Sequence, residues 1–160
     1  MTARIISTPL GGMLAAAEGG ALCGLWFVGQ RYFPAEAEAW LAEPCAAPEA
    51  RALDAARAWL DATFAGGDPA APPPLAPRGT AFQRKVWAAL LEIPRGKTVS
   101  YGELAVRCAS APRAVGNAVG RNPISLIIPC HRVVGSNRSL TGYAGGLERK
   151  KALLELEGAL

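Results

Sequence analysis

The sequence predicts an α+β protein in two parts, a small N-terminal domain with an antiparallel sheet and helices, and a helical C-terminal domain with a helix-turn-helix. Three observations lead there. Short apolar stretches divided by paired glycines occupy the first 28 residues, five prolines crowd the ten residues from Asp68 to Pro77, and short helices with well-marked starts follow Gly79.

The stretches Arg4 to Ser7, Met13 to Ala17 and Ala21 to Val28, separated by Gly11-Gly12 and Gly19-Gly20, read as strands joined by tight hairpins. A short helix is expected over Ala35 to Leu41. A longer one is expected over Pro48 to Ala65, where Leu53, Ala56, Trp59, Leu60 and Phe64 recur at helical spacing. Trp26, Phe27, Trp40 and Trp59 read as core, and nothing in this half suggests chemistry. The proline-rich stretch excludes helix and sheet and favours an extended spacer, which sets the expected division at 1–67, a linker over 68–79, and 80–160.

Downstream, Thr80-Ala81-Phe82-Gln83 is a capping box, with Phe82, Val86 and Leu90 on one helical face, and Ser100-Tyr101-Gly102-Glu103 repeats the device to open a helix ending near Arg107. Pro94-Arg95-Gly96-Lys97 makes the turn between them. Pro112 suits the first turn of a third helix, Arg113 to about Gly120, stopped by Gly120 and Asn122-Pro123. Ala114, Gly116, Ala118 and Gly120 give this helix little bulk, although an internal glycine costs about 1 kcal/mol relative to alanine. Close approach to another backbone and tight internal packing both account for that. The apolar run Ile124 to Ile128 reads as a buried strand or extended segment delivering Pro129, Cys130 and His131 to its end.

The 160 residues carry a formal net charge of +4, unevenly spread. Residues 1–79 hold five basic and eight acidic groups, and residues 80–160 hold twelve basic and five acidic ones. A net of −3 is thus joined to one of +7, and the basic half suits a polyanion. No apolar run is long enough to span a membrane and the N-terminus has no secretory pattern, so a soluble cytoplasmic protein is expected. Cys23, Cys45, Cys108 and Cys130 form no Cys-x-x-Cys pair, and His131 is the sole histidine. Neither zinc nor disulfides are expected.

A cysteine is most often an inert buried hydrophobe. The neighbours of Cys130 alter that reading, because a thiolate needs a base or positive charge near neutral pH, and His131 and Arg132 are adjacent in sequence.

The segment Pro129-Cys130-His131-Arg132-Val133, preceded by Arg121-Asn122-Pro123 and followed by Gly142-Tyr143-Ala144-Gly145-Gly146, resembles the O6-alkylguanine-DNA alkyltransferase family. The match runs from Phe82-Gln83 through Val86-Trp87, Ile93-Pro94-Arg95-Gly96, Ser100 to Ala105 and Arg113-Ala114-Val115-Gly116 to Glu157-Gly158. The first domain fits only in length and coarse pattern. The resemblance implies a ribonuclease H-like N-terminal domain and a winged-helix-like helix-turn-helix. The implied reaction is direct reversal of damage, in which one methyl or other alkyl group passes irreversibly from O6-alkylguanine, or O4-alkylthymine, to the protein's own cysteine after base flipping.

By the same resemblance, Cys130 is the acceptor, His131 draws off its proton through a water, Glu157 orients the imidazole, and Tyr101 assists the flipped guanine as it leaves. The third helix enters the minor groove of double-stranded DNA, where small residues permit a deep fit. Arg113 occupies the space of the flipped base, with Ala114, Gly116, Asn117 and Tyr101 also at the DNA. Val133, Tyr143, Ala144, Gly145 and Gly146 line the base pocket, and Asn122 braces the turn before the cysteine. No cofactor is called for. A monomer is expected, with cooperative assembly on DNA left open. Some members carry proline at the position of Ser125 and some bind zinc in the first domain, where this chain has no histidine.

Three other readings are open to the sequence. A cysteine hydrolase could use Cys, His and Glu but gives the helix-turn-helix no purpose. A module that flags alkylated bases without repair is weakened by the presence of Cys130. A sequence-specific regulator is disfavoured because a low-bulk helix has few side chains to read base edges.

Overall fold

The computed structural model describes residues 1–69 and 71–160, which divide into two compact units, Met1–Arg78 and Gly79–Leu160. In the first unit β1 (Thr2–Ile6), β2 (Met13–Glu18) and β3 (Ala21–Phe27) form an antiparallel sheet in the order β1-β2-β3. The β2-β3 hairpin turns on Gly19 and Gly20, whose φ of 61° and 79° are the positive values a two-residue hairpin loop demands. A bulge between Ala16 and Ala17 shifts the register from Ala16↔Gly24 to Ala17↔Leu22.

Two helices follow, α1 (Ala37–Ala42) and α2 (Ala47–Phe64), the latter with Pro48 in its first turn. Helix α2 packs on the sheet through Ala52, Leu53, Ala56, Leu60 and Thr63, whereas Trp59 and Phe64 are only half-buried. Of the aromatic residues expected in the core, Phe27 alone is fully buried; Trp26 and Trp40 stack at 6.0 Å between ring centroids while remaining half-exposed. Trp is large enough that complete burial is uncommon.

The proline-rich stretch also engages the sheet, contrary to the expectation of a segment without pairing. The Leu22 amide donates to the Pro74 carbonyl at 2.8 Å and the Ala76 amide to the Leu22 carbonyl at 2.8 Å, so Leu75 bridges in parallel to the open edge of β3. Proline is tolerated on such an edge because only alternate amides face the neighbour. Ala70, within the expected linker, lies outside the described residues.

The second unit contains α3 (Ala81–Leu90), β4 (Val99–Ser100), α4 (Tyr101–Arg107), α5 (Pro112–Gly120), a single 3-10 turn at Cys130–Arg132, β5 (Val133–Val134) and α6 (Leu147–Leu156). The Thr80–Gln83 capping box is formed in both directions, at 3.1 and 2.9 Å. At α4 the Ser100 hydroxyl accepts from the Glu103 amide at 3.0 Å. The buried Trp87 indole donates to the Ala118 carbonyl at 2.8 Å and fixes α3 against α5. Strands β4 and β5 pair in parallel, Val99↔Val133 and Ser100↔Val134, which brings the start of α4 beside the chain leaving Cys130. Among the described residues, no helix is long and apolar enough to cross a membrane.

Ile124 to Ile128 is not a strand. It is a buried, compact turn in which the Ile128 amide donates to the Ile124 carbonyl at 3.0 Å and Leu126 adopts φ 70°. A short apolar run signals burial without choosing between extended and turned backbone, and here the Asn122 side chain decides.

Candidate active site

The buried Asn122 amide is bonded in both senses to the turn that follows it. Its Nδ2 donates to the Ile128 carbonyl at 2.8 Å and to the Ile124 carbonyl at 3.4 Å, and its Oδ1 accepts from the Ile124 amide at 3.0 Å. These bonds satisfy backbone groups that a sheet would otherwise have paired. They also hold the chain as it runs from Asn122 to Cys130, eight residues on. The structure thus places Asn122 where a brace is required.

Cys130 opens the 3-10 turn and is 5% exposed. Burial pushes its thiol up, opposed by the Asn122 amide and the charge of Lys150. His131, next in the turn, is 1% exposed, and its Nε2 lies 3.0 Å from Glu157 Oε1. Burial holds the imidazole below its ordinary value, although Glu157 pulls the other way.

Glu157 caps the C-terminus of α6. Burial raises its carboxyl, but hydrogen bonds from His131 and Arg132, aided by their charges, outweigh this and hold it at about 2. Arg132 grips it with two bonds, Nε to Oε1 at 3.0 Å and Nη2 to Oε2 at 2.7 Å, while Nη1 donates to the Ile93 carbonyl at 2.6 Å. An ionised carboxylate can only accept, so Nε2 carries the hydrogen and Nδ1 keeps a lone pair. That Nδ1 is buried and has no protein partner among the described residues. Chemically, the arrangement is a neutral imidazole base of fixed tautomer, adjacent to a buried thiol.

Tyr101, the first residue of α4, packs toward α5, where a Cβ on Gly116 would meet its ring at 3.8 Å. Its hydroxyl donates to the Thr141 and Gly142 carbonyls, each at 3.3 Å. Burial raises its phenol, and the charge of Cys130 adds to the rise. Tyr143 presents a buried hydroxyl without a partner among the described residues; burial, then Cys130, push it well above its ordinary value. Gly145 is buried, and its carbonyl accepts from Arg149 Nη1 at 3.1 Å; Gly146, at φ 94°, leads into α6. Val133 is fully buried on β5, and Ala144 is half-buried.

Helix α5 turns Val115, Ala118 and Val119 inward and leaves Arg113 and Asn117 exposed, with Ala114, Gly116 and Gly120 partly so. A Cβ on Gly120 would meet nothing within 4 Å. Its low bulk therefore reflects an outward surface there, not internal crowding. The structure brings Tyr101 and Tyr143 within electrostatic reach of Cys130, and His131 and Tyr143 within reach of Glu157, whereas Arg113 and Asn117 are exposed on α5.

Sequence reasoning missed two residues. Arg132 was read as a charge beside the thiol, but its guanidinium is engaged by Glu157. Lys150 was not singled out, because Arg149-Lys150-Lys151 looks like an ordinary solvated run. It is nevertheless 0% exposed, donating through Nζ to the Thr141 and Gly142 carbonyls at 2.9 and 3.2 Å. Only its phase on α6 distinguishes it from Lys151, which is solvated and lies 3.9 Å from Glu155.

Fold and site together describe a two-unit α+β protein with a buried cysteine-histidine-glutamate centre behind an exposed low-bulk helix. Residues 81–159 match the family model described as 6-O-methylguanine DNA methyltransferase, DNA binding domain. A methylated-DNA--protein-cysteine methyltransferase from Mycobacterium bovis is 46% identical over 156 residues, covering 96% of this chain and 90% of the relative. The crystal structure of the Mycobacterium tuberculosis O6-methylguanine methyltransferase covers 99% of this chain and 93% of its own, with a TM-score of 0.83 at 45% identity. A structure of Mycobacterium tuberculosis OGT in complex with DNA covers 99% and 94%, with a TM-score of 0.84 at 43% identity. The chain belongs to the methylated-DNA--protein-cysteine methyltransferase family.

Proposed function

We propose that this protein repairs DNA by direct reversal, taking the alkyl group of O6-alkylguanine onto Cys130. The observation that carries the reading is the Glu157–His131 contact of 3.0 Å, which leaves a buried, unprotonated Nδ1 on the residue that follows the buried Cys130. The thiol proton passes to Nδ1 through a water, the thiolate attacks the alkyl carbon, a carbon–sulfur bond forms and the carbon–O6 bond breaks. The bonding pair departs with guanine, which then regains a proton. A thioether on an unassisted cysteine does not break readily, so each molecule acts once. O4-alkylthymine presents the same alkyl–oxygen bond and is a second substrate.

The base must leave the duplex to reach a cysteine that is 5% exposed. The outward face of α5 suits the minor groove, with Ala114, Gly116 and Asn117 against the backbone and Arg113 filling the space of the flipped nucleotide. Tyr101 assists departure of the base. Val133, Tyr143, Ala144, Gly145 and Gly146 form its pocket, with the Ala144 amide at O6 and the Val133 carbonyl at the exocyclic amine. In this reading the second unit is winged-helix-like, and the first unit is ribonuclease H-like. The protein is divided as 1–67, 68–79 and 80–160, works as a monomer in the cytoplasm, and needs no cofactor.

The test is to incubate the protein with a duplex carrying O6-methylguanine and weigh the Cys130 peptide. Gain of one methyl group supports the reading; an unmodified peptide with the lesion intact overturns it.

A further inference from the structure

Lys150 is fully buried in the first turn of α6, where an ammonium group needs compensation for lost hydration. Its contacts are neutral: the Thr141 and Gly142 carbonyls at 2.9 and 3.2 Å, and the face of Tyr101 with Nζ 5.9 Å from the ring centroid. Among the described residues, no carboxylate pairs with it. The Tyr101 hydroxyl donates to the same two carbonyls, so the ammonium and the phenol share one stretch of backbone.

The other groups facing Cys130 either carry no positive charge or have it already paired. Tyr101 from α4 and Tyr143 from the loop before α6 are neutral phenols, and His131 is a neutral imidazole. Arg132 is bound by Glu157 through two hydrogen bonds. The Asn122 amide, bonded to two carbonyls, also hydrogen-bonds the Cys130 sulfur, but it brings a dipole and no net charge. Among the described residues Lys150 is the cation left over; burial lowers its ammonium to about 8, while it and Cys130 favour each other's charged forms.

We infer that Lys150 is a positioning residue for the transfer: its buried ammonium fastens the Thr141-Gly142 backbone beside the Tyr101 hydroxyl and is the counter-charge of the Cys130 thiolate. The inference rests on Cys130 being the alkyl acceptor. It divides the work at the sulfur, with His131 taking the proton and Lys150 holding the charge left behind.

The experiment compares wild type, Lys150→Met and Lys150→Arg by the pH dependence of Cys130 alkylation with iodoacetamide, alongside methyl uptake from an O6-methylguanine duplex. In Lys150→Met the midpoint should rise by about one pH unit and the rate near neutrality fall about tenfold, since one unit corresponds to a tenfold change. Lys150→Arg, which keeps the charge, should stay closer to wild type in midpoint. An unchanged midpoint in folded Lys150→Met overturns the inference. If that variant does not fold, wild type labelled with 13C at lysine Cε gives the answer. The Lys150 titration should move to lower pH once iodoacetamide has capped Cys130, and no movement overturns the inference. A Lys150-dependent midpoint in a protein that takes no methyl group from the duplex would sustain the counter-charge while overturning the functional reading beneath it.

Discussion

Glu157 and His131 meet at 3.0 Å through Oε1 and Nε2, at the junction of the C-terminus of α6 and the 3-10 turn that carries Cys130. Because the carboxylate stays ionised and accepts this bond, the free imidazole nitrogen is a base and not a donor. Replacing Glu157 by Gln removes the charge that fixes this state and leaves Arg132 without its ion pair. Methyl transfer by Glu157→Gln should fall by up to about a hundredfold to ten-thousandfold, the range spanned by well-placed acid–base assistance. Single-turnover kinetics on an O6-methylguanine duplex measure it, and a wild-type rate would remove Glu157 from the relay.

The same carboxyl gives a stability prediction. Its folded value of about 2 lies below the ordinary 4.5, so its contribution is present above pH 4.5 and is lost as pH falls from there through 2. Urea denaturation across that range should show a steeper loss for wild type than for Glu157→Gln. Equal slopes would contradict the ion-pair geometry.

His131 is held below its ordinary 6.5 by burial. It therefore remains neutral, and competent as a base, as pH falls past 6.5, and becomes charged only at lower pH. The acid midpoint of methyl transfer should lie below 6.5. A midpoint above 6.5 would mean that another group limits the reaction.

Arg113 is exposed at the start of α5 and takes no part in the relay. In Arg113→Ala, iodoacetamide should label Cys130 at the wild-type rate while methyl transfer from duplex DNA drops at least tenfold, about the 1.4 kcal/mol equivalent of a single lost contact. Loss of both activities would show that Arg113 supports the fold instead of extracting the base.

Ala109 follows α4 at φ 51°, and the Ser110 amide reaches back to the Ala105 carbonyl at 3.0 Å. This helix-ending turn favours glycine. Ala109→Gly removes the steric cost of Cβ in the left-handed region and should stabilise the protein by about 0.5–1 kcal/mol, net of the added freedom of the unfolded chain. Thermal unfolding would register it as a higher midpoint, and a lower one would contradict the turn geometry.

The parts of the molecule that were legible in the sequence are those in which one local rule dominates. Thr80 and Gln83 announce a helix start because their side chains bond to backbone within four residues, and Pro112 fits a first turn because its missing amide needs no partner there. At Ser100 and Glu103 only half of the expected box forms, the Ser100 hydroxyl accepting from the Glu103 amide without a return bond from the Glu103 side chain. Illegible parts depend on tertiary surroundings. Ile124 to Ile128 folds as a turn because Asn122 satisfies its carbonyls, a result invisible in hydrophobicity. Leu75 pairs with Leu22 because β3 has an open edge, which composition cannot reveal. Lys150 and Lys151 differ by one step around α6, and only the packed helix shows which of them is buried. For the candidate site, Cys130, His131 and Glu157 emerged from family resemblance, while their hydrogen bonds required coordinates.

The central claim is that Cys130 receives the alkyl group and keeps it. The most direct measurement mixes the protein with a large excess of duplex carrying radiolabelled O6-methylguanine, follows label to completion and maps it by peptide. Uptake should plateau at one methyl group per protein molecule, all of it on Cys130. Continued conversion of the lesion beyond one equivalent, or label on any other residue, would contradict the account.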